Sequence, residues 1–442
     1  MSVTGWGQYP IIKANTLQAH SKRKVSEILQ TFNNTQNISP QSTHLIARGL
    51  GRSYGDSALS PNILQTNHLN HFIEFNSETG NITCSAGISF AEILELFVPR
   101  GWFLPVTPGT KFITVGGAVA SDVHGKNHHI DGSFSQHVSS LKIALASGEI
   151  VTCSLNDKPE LFLATCGGMG LTGVIVQVSF KLIPIKSAYI SEQTYKTANL
   201  AETLEQFEAH EASTYSVAWI DCLATGEQLG RSLLMLGEHS SEGELKAHQT
   251  SKISVPVNMP SLLLNPFSVQ AFNTLYYSKQ TKSHSTRNVH YEPFFYPLDS
   301  INNWNRLYGK NGFTQYQFVL PKSAGLQGVT EVLKAIAKSK RGSFLAVLKA
   351  FGKGNDNYLS FPMEGYTLAL DFKIDAKLFA FLDELDRIVL DFGGRLYLTK
   401  DVRMSETTFK QSYANWQTFQ SVRQQYGADQ RFHSLQSLRL GL

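Results

Sequence analysis

The first residues in this chain whose types and spacing suggest chemistry are glycines. They fall in Arg48-Gly49-Leu50-Gly51-Arg52-Ser53-Tyr54-Gly55-Asp56, in Pro108-Gly109-Thr110 with Thr114-Val115-Gly116-Gly117-Ala118, and in Cys166-Gly167-Gly168-Met169-Gly170-Leu171-Thr172-Gly173. Glycine frees consecutive backbone N–H groups to form anion-binding concavities, and Thr114 before Val115 reads as a helix start whose dipole adds to the effect. Several such loops point to an extended, phosphate-bearing ligand. Gly168-x-Gly170-x-x-Gly173 has the spacing of a dinucleotide fingerprint, but that motif needs a strand before it and a helix after it. Here 159–165 reads as a short helix and 174–182 alternates like a strand, so the order is reversed and a Rossmann fold is excluded.

The second set of chemical residues is polar and lies on apolar strands. Alternation in Gln315-Tyr316-Gln317-Phe318-Val319 puts Gln315 and Gln317 on one face. Lys349 is in phase with Leu345 and Val347, and Lys400 with Leu396 and Leu398. One such lysine is usually a strand-end charge reaching solvent; two lysines and two glutamines on one sheet suggest a shared polar face. His124, His128, His129 and His137 cluster in sequence, but Gly125 and Asn127 break any helical ligand spacing, so a metal site is not expected. Cys84, Cys153, Cys166 and Cys222 show neither a CxxC nor a zinc spacing and read as buried thiols.

These residues need elements to hold them. Strands at 72–75 and 81–84 flank a turn at 78–80, and a helix at 90–97 follows with Ser89 and Glu92 as a capping box. A second hairpin, 141–145 with 149–153, repeats the pattern before the helix at 159. Hairpins interleaved with helices indicate an α+β fold rather than a doubly wound parallel sheet. After Pro184, long helices at 326–340 and 378–391, each followed by a strand (344–351 and 395–400), predict an antiparallel sheet with helices on one face. A last helix at 406–425 is expected to return to the first half.

The 442 residues suffice for two or three domains, and 42% hydrophobic with 17% charged residues is ordinary for a soluble enzyme. A net charge of +4 spread along the chain does not suggest nucleic-acid binding. The N-terminus lacks the pattern of a secretory leader and no run is long and apolar enough for a membrane span, so a cytoplasmic chain is expected. The stretch 253–278 carries no Asp, Glu, Lys or Arg. It reads as a lid over a lipid-like substrate, a shallow membrane contact or a buried irregular connection, with Lys279, Lys282 and Arg287 beyond it suited to anionic headgroups.

The motifs ARGLGRSYGDSA, PVTPGTKFITVGGAVASDVHGKNHH and GGMGLTGVI resemble the flavin domain of the vanillyl-alcohol-oxidase-type FAD-binding oxidoreductases (PCMH-type). Within these, the segments PLDSINNWNRLYGKNGFTQYQFVLP, FLAVLKAFGKGN, LDFKID and GGRLYLTKD extend the resemblance, across nearly the whole chain, to the decaprenylphosphoryl-ribose 2-oxidase family. It implies an FAD-binding domain at 1–186, a substrate-binding cap domain with an antiparallel sheet at 187–405 and a C-terminal helical segment at 406–442. Gly49, Leu50, Gly51, Arg52, Ser53, Tyr54 and Gly55 would wrap the FAD diphosphate. Gly109, Thr110, Gly116, Gly117, Ser121, Asp122, His124, Gly125 and Asn127 would line the flavin, with Gly168, Gly170 and Gly173 nearby. Covalent relatives attach flavin to the histidine of a GxGHS pattern; Arg52 stands there in this chain, so the resemblance implies non-covalent FAD.

The implied reaction oxidises the 2-hydroxyl of a polyprenyl-phosphoryl pentose to a ketone, the first half of an epimerisation that a separate NAD(P)H-dependent short-chain reductase completes. Lys400, His124 and Tyr54 are the catalytic candidates; Gln315, Gln317, Lys349, Thr367 and Ala369 are the substrate-binding ones. Ala369 stands where mycobacterial members carry the cysteine captured by covalent inhibitors, and Thr367 where they carry an asparagine. These changes leave a related sugar or polyol open as substrate. The alternative is a soluble alditol or sugar-lactone oxidase that uses oxygen. A lipid-bound substrate would bring the chain to a membrane surface.

Overall fold

The computed structural model describes residues 1–33, 43–248, 253–260 and 265–442. In the first half, a five-stranded antiparallel sheet runs in the order Ile150–Cys153, Val138–Ala144, Val174–Lys181, Asn81–Ser85, Phe72–Phe75. Both expected hairpins are present, and Val178 sits between Cys84 and Leu141 in the buried register. The helix Phe90–Phe97 buries Phe90, Ile93, Leu94 and Phe97, the i, i+3, i+4, i+7 face. Its expected capping box forms: Glu92 N donates to Ser89 Oγ at 3.2 Å and Ser89 N to Glu92 Oε2 at 2.8 Å, a cap of about 1 kcal/mol.

A second sheet was not foreseen. Asn15–Gln18, Asn62–Gln65 and Leu45–Arg48 form a small parallel sheet with Asn62–Gln65 in the middle. Four-residue parallel strands carry no turn signal, because their partners arrive by long crossovers.

The second half contains an eight-stranded sheet, antiparallel throughout: His284–His290, Tyr189–Thr197, Ser232–His239, Tyr215–Ile220, Ala346–Phe351, Gly365–Lys373, Phe313–Pro321, Arg395–Leu396. Helices Leu200–Ala209, Gly325–Ser339 and Leu378–Asp391 cover one face, where Phe207, Leu333 and Leu385 join Tyr316, Phe318, Leu348 and Leu368 in one core. Strand alternation therefore turns Gln315, Gln317, Val347, Lys349, Thr367 and Ala369 to the other face.

Three expectations change. The strand expected at 395–400 ends at Leu396, after which Lys400 N bonds back to Tyr397 O at 3.0 Å. This turn separates residues expected in phase: Leu396 and Leu398 enter the helix-side core, while Lys400 faces the opposite side with Tyr397 and Thr399. The helix expected at 406–425 is two, Glu406–Ser412 and Trp416–Gln425. The break lets buried Tyr413 turn inward and donate its hydroxyl to Leu396 O at 2.6 Å. The stretch 253–278 is not a buried irregular connection: Pro266–Lys279 is a helix with proline in its first turn, where it is tolerated, and Ile253, Val257, Phe267 and Leu275 are exposed. Residues 261–264 of that stretch lie outside the described residues.

The C-terminal residues pack on the first half. Buried Arg423 donates from Nε to Leu171 O at 3.1 Å, and Arg439 Nη2 meets Asp56 Oδ1 at 2.8 Å.

Candidate active site

A cavity of about 360 Å³ opens between the polar face of the large sheet and the glycine loops, within the roughly 300–1,000 Å³ of small-molecule sites. Gly49, Leu50, Gly51, Arg52, Ser53, Tyr54, Gly109, Thr110, Gly116, Gly117, Ser121, His124, Gly170 and Gly173 line it from the first half, and Gln315, Gln317, Lys349, Thr367, Ala369 and Lys400 from the second. The helix Val115–Ala120 starts as expected at Thr114, whose Oγ1 accepts from Gly117 N at 3.1 Å. A Cβ on Gly49 would lie 2.3 Å from that Oγ1, so the first loop presses directly on the helix start. A Cβ on Gly109 would meet no atom within 4 Å and would stand in the cavity. A long arm walled by backbone amides and glycines fits a phosphate-bearing cofactor.

Five residues expected at the ligand lie behind this wall. Gly55 packs on Asp401 O, Gly125 on Thr107 O, and Gly168 on Ala164 O. Asn127 Nδ2 is taken by Pro105 O and Asp131. Asp122, fully buried at φ +39°, accepts from Ser133 Oγ, Ser135 N, Asn355 Nδ2, Asn357 Nδ2 and Ser360 Oγ. Its carboxylate clasps 355–360 of the second half to the flavin-side loop, which makes it a structural tie.

The polar centre is built on His124. Gln317 Nε2 donates to His124 Nε2 at 3.0 Å and to Thr367 Oγ1 at 3.2 Å, while the Thr367 hydroxyl donates to Phe318 O at 2.8 Å. With Nε2 accepting, the ring proton sits on Nδ1, which is buried and has no partner among the described residues. That donor is aimed into the region a ligand would fill. Phe351, Phe361 and Tyr397 surround the ring at 4.7, 5.6 and 5.1 Å. Burial, then Lys349, His128 and Lys400, hold its pKa well below 6.5, so His124 is neutral. His128 packs on Phe351 at 4.5 Å and His129 Nε2 bonds Ser213 O at 2.8 Å, the structural roles expected of them.

Lys400 Nζ lies 4.0 Å over the Tyr54 ring. Burial lowers its pKa to about 7 against the opposing pull of Asp371. Burial alone lowers Lys349 to about 8. Tyr54 is pushed the other way, well above 10, by burial and by Asp371 and Asp299, so its phenol stays protonated. Of the three catalytic candidates, Lys400 alone is both near neutrality and able to accept a proton. Arg52 stacks 4.0 Å over Trp6, with Phe112 at 5.3 Å, at the position where covalent relatives carry histidine.

Sequence reasoning passed over Lys126, Asp371 and Asp299. Lys126 lines the cavity, donates from Nζ to Phe294 O at 2.6 Å, and has its pKa lowered by burial to about 7. It stands in an irregular loop, where no periodicity marks its direction. Asp371 accepts from Gln315 Nε2 at 2.7 Å and Tyr308 OH at 3.2 Å, and burial raises it to about 7. Its signal was available, since 367, 369 and 371 alternate onto one strand face. Asp299 accepts from Thr110 Oγ1 at 2.8 Å and is raised by burial to about 6. Among the described residues no group of three or more His, Cys, Asp or Glu is placed to hold a metal.

Residues 14–154 match the family model described as an FAD binding domain. The chain is 38% identical to decaprenylphosphoryl-beta-D-ribose oxidase of Mycolicibacterium smegmatis over 90% of this chain and 89% of that protein. It is 29% identical to a Streptomyces coelicolor protein of the mprA 5′ region, over 80% of this chain and 100% of the relative. It is 20% identical to L-gulono-1,4-lactone dehydrogenase of Mycobacterium tuberculosis, over 87% of each. The glycine loops that wall the cavity up to Asn127 thus fall inside the matched FAD segment, and the polar face of the large sheet lies outside it.

Proposed function

Because the chain belongs to the decaprenylphosphoryl-β-D-ribose oxidase family of FAD-dependent oxidoreductases, we propose that it oxidises the 2-hydroxyl of a polyprenyl-phosphoryl ribose to the 2-keto sugar. The observation that carries this reading is the single cavity that joins an amide-lined arm to a polar pocket holding Lys400, His124, Gln317 and Lys349. FAD, held without a covalent bond along that arm, supplies the acceptor for the hydride that leaves C2. Lys400, as the neutral amine, takes the hydroxyl proton while the C–O bond becomes C=O; the Tyr54 ring beneath it favours the ammonium that results. His124 Nδ1–H donates to ligand oxygen or nitrogen, and Gln317 fixes its tautomer. Gln315 positions Lys400 through Asp371, and Thr367 and Ala369 shape the wall beside the sugar.

Lys349 and Lys126 give the far side of the cavity the positive charge that a phosphodiester needs, and Trp219, Val217 and Met235 give it an apolar continuation for lipid. The keto product is reduced to the epimer by a separate NAD(P)H-dependent short-chain reductase. The test is spectroscopic. Acid precipitation should leave yellow FAD in the supernatant, and anaerobic addition of a polyprenyl-phosphoryl ribose should bleach the enzyme-bound flavin. Bleaching by free polyols or lactones instead would move the substrate to the lactone-oxidising relatives. Colourless protein that takes up no FAD would end the proposal.

A further inference from the structure

We propose that the outer face of the helix Pro266–Lys279, with the neighbouring segment 253–260, seats this protein on a lipid bilayer and sets the cavity against the membrane. The inference deepens the polyprenyl-phosphate reading and rests on it.

The helix has two unlike faces. Its inner face is fastened to the large sheet: Asn273 is fully buried with Nδ2 on Asp221 Oδ1 at 2.9 Å, Val269 is buried, and Tyr277 OH donates to Thr197 O at 3.1 Å. Tyr276 packs 4.8 Å from Trp219, and both rings line the cavity. On the outer face Phe267, Ala271 and Leu275 recur at i, i+4 and i+8, with Phe267 83% and Leu275 71% exposed. Large apolar side chains so far from any protein contact are costly in water unless something covers them. The adjacent segment repeats the pattern, with Ile253 67% and Val257 63% exposed. It is pinned to the cavity rim, since Arg306 Nη1 donates to Val255 O and Pro256 O at 3.0 and 2.8 Å, two residues from cavity-lining Trp304.

Charge selects the partner. There is no acidic residue from 253 to 278 to repel an anionic surface, and exposed Lys279 and Lys282 close the helix on its C-terminal side. A helix that is apolar outside, uncharged along its length and basic at one end matches an interfacial helix seated among headgroups. It lies where one is needed, because the same helix that exposes Phe267 and Leu275 contributes Tyr276 to the cavity. A polyprenyl phosphate has its reacting sugar tethered to a chain that does not leave the bilayer, so a cavity wall immersed in the interface lets the headgroup enter without extracting the lipid.

The test pairs binding with two substrates. The FAD-loaded enzyme and its Phe267→Glu/Leu275→Glu variant are sedimented with vesicles of phosphatidylcholine and phosphatidylglycerol. They are then assayed on a long-chain polyprenyl-phosphoryl ribose embedded in the vesicles and on a short-chain, water-soluble analogue. The variant should bind vesicles at least about tenfold more weakly and lose a similar factor on the embedded substrate, with unchanged rates on the soluble analogue. Unchanged rates on the analogue and unchanged FAD content establish that the variant is folded. Wild-type protein that fails to sediment, or a variant that sediments equally well, overturns the proposal. So does a concentration-dependent dimer in the wild type that the variant abolishes, because a second copy would then cover this face. A wild type that binds vesicles but does not oxidise the soluble analogue leaves the membrane seat standing and sinks the substrate reading instead.

Discussion

At the scale of single residues, the pocket separates groups by what burial does to their protons. Burial lowers Lys400 to about 7 and lifts Tyr54 well above 10, although the ring of one lies under the ammonium of the other. Since the neutral amine is the acting form and is populated above its pKa, kcat/KM should rise with pH through about 7 and level off above it. Lys400→Arg keeps a cation that cannot deprotonate, so this limb should vanish. Lys400→Ala should retain FAD yet reduce flavin at least about 100-fold more slowly. A profile that is flat in the wild type, or near-normal reduction in the alanine variant, removes Lys400 from the proton transfer. A second residue-scale prediction concerns thiols. All four cysteines are buried; Cys84, Cys153 and Cys222 are pushed up by burial to about 12, and Cys166 well above 9. The native protein should therefore resist maleimide, whereas Ala369→Cys, facing the cavity opposite Gln317, should be labelled and then protected by bound substrate. Labelling at equal rates in both proteins would place residue 369 away from the cavity.

At the scale of elements, two glycines separate folding from binding. Gly109→Ala adds a methyl that touches no protein atom. It should leave the melting temperature of the FAD-free protein within about 0.5 kcal/mol of wild type and weaken FAD by about tenfold, as measured by flavin titration. Gly49→Ala drives its methyl to 2.3 Å from Thr114 Oγ1. It must displace the cap of Val115–Ala120, so the FAD-free protein itself should lose about 1–3 kcal/mol. If both variants melt alike, the loop does not rest on the helix start. Elements with local signals were legible: Phe90–Phe97 with its Ser89 and Glu92 box, and the Gln315 and Gln317 face of Phe313–Pro321. The small parallel sheet was not, because its pairing is made across long connections. Nor was the turn at 397–400, where a continuing β pattern of side chains hides a chain reversal.

At the scale of the whole molecule, Asp122 is the tie between the two halves. Its carboxylate takes Asn355, Asn357 and Ser360 from one side and Ser133 and Ser135 from the other. Asp122→Ala strands those donors without an acceptor in a buried site, a cost of about 3 kcal/mol or more. It should lower the melting temperature and speed proteolysis near 353–360, even though residue 122 touches no part of the cavity wall. Melting and proteolysis like wild type would show that other contacts hold the halves together. No helix among the described residues is long and apolar enough to cross a membrane, and the apolar surface lies instead on one side of one helix beside the cavity.

The amino-acid sequence determined what repeats locally or is written in a motif: the glycine loops, the α+β pattern, the alternating faces of the long strands and the FAD family. Tertiary structure alone decided which of those residues meet. It moved Asp122, Asn127, Gly55 and Gly125 behind the wall, brought Lys126 and Asp371 to or beside the pocket, and carried Lys400 in on a turn rather than a strand. The physical reason is that strand period and glycine content are properties of neighbours in the chain. The pKa of a lysine or the burial of a carboxylate depends on groups hundreds of residues away, which come within a few ångströms only when the sheets close on each other.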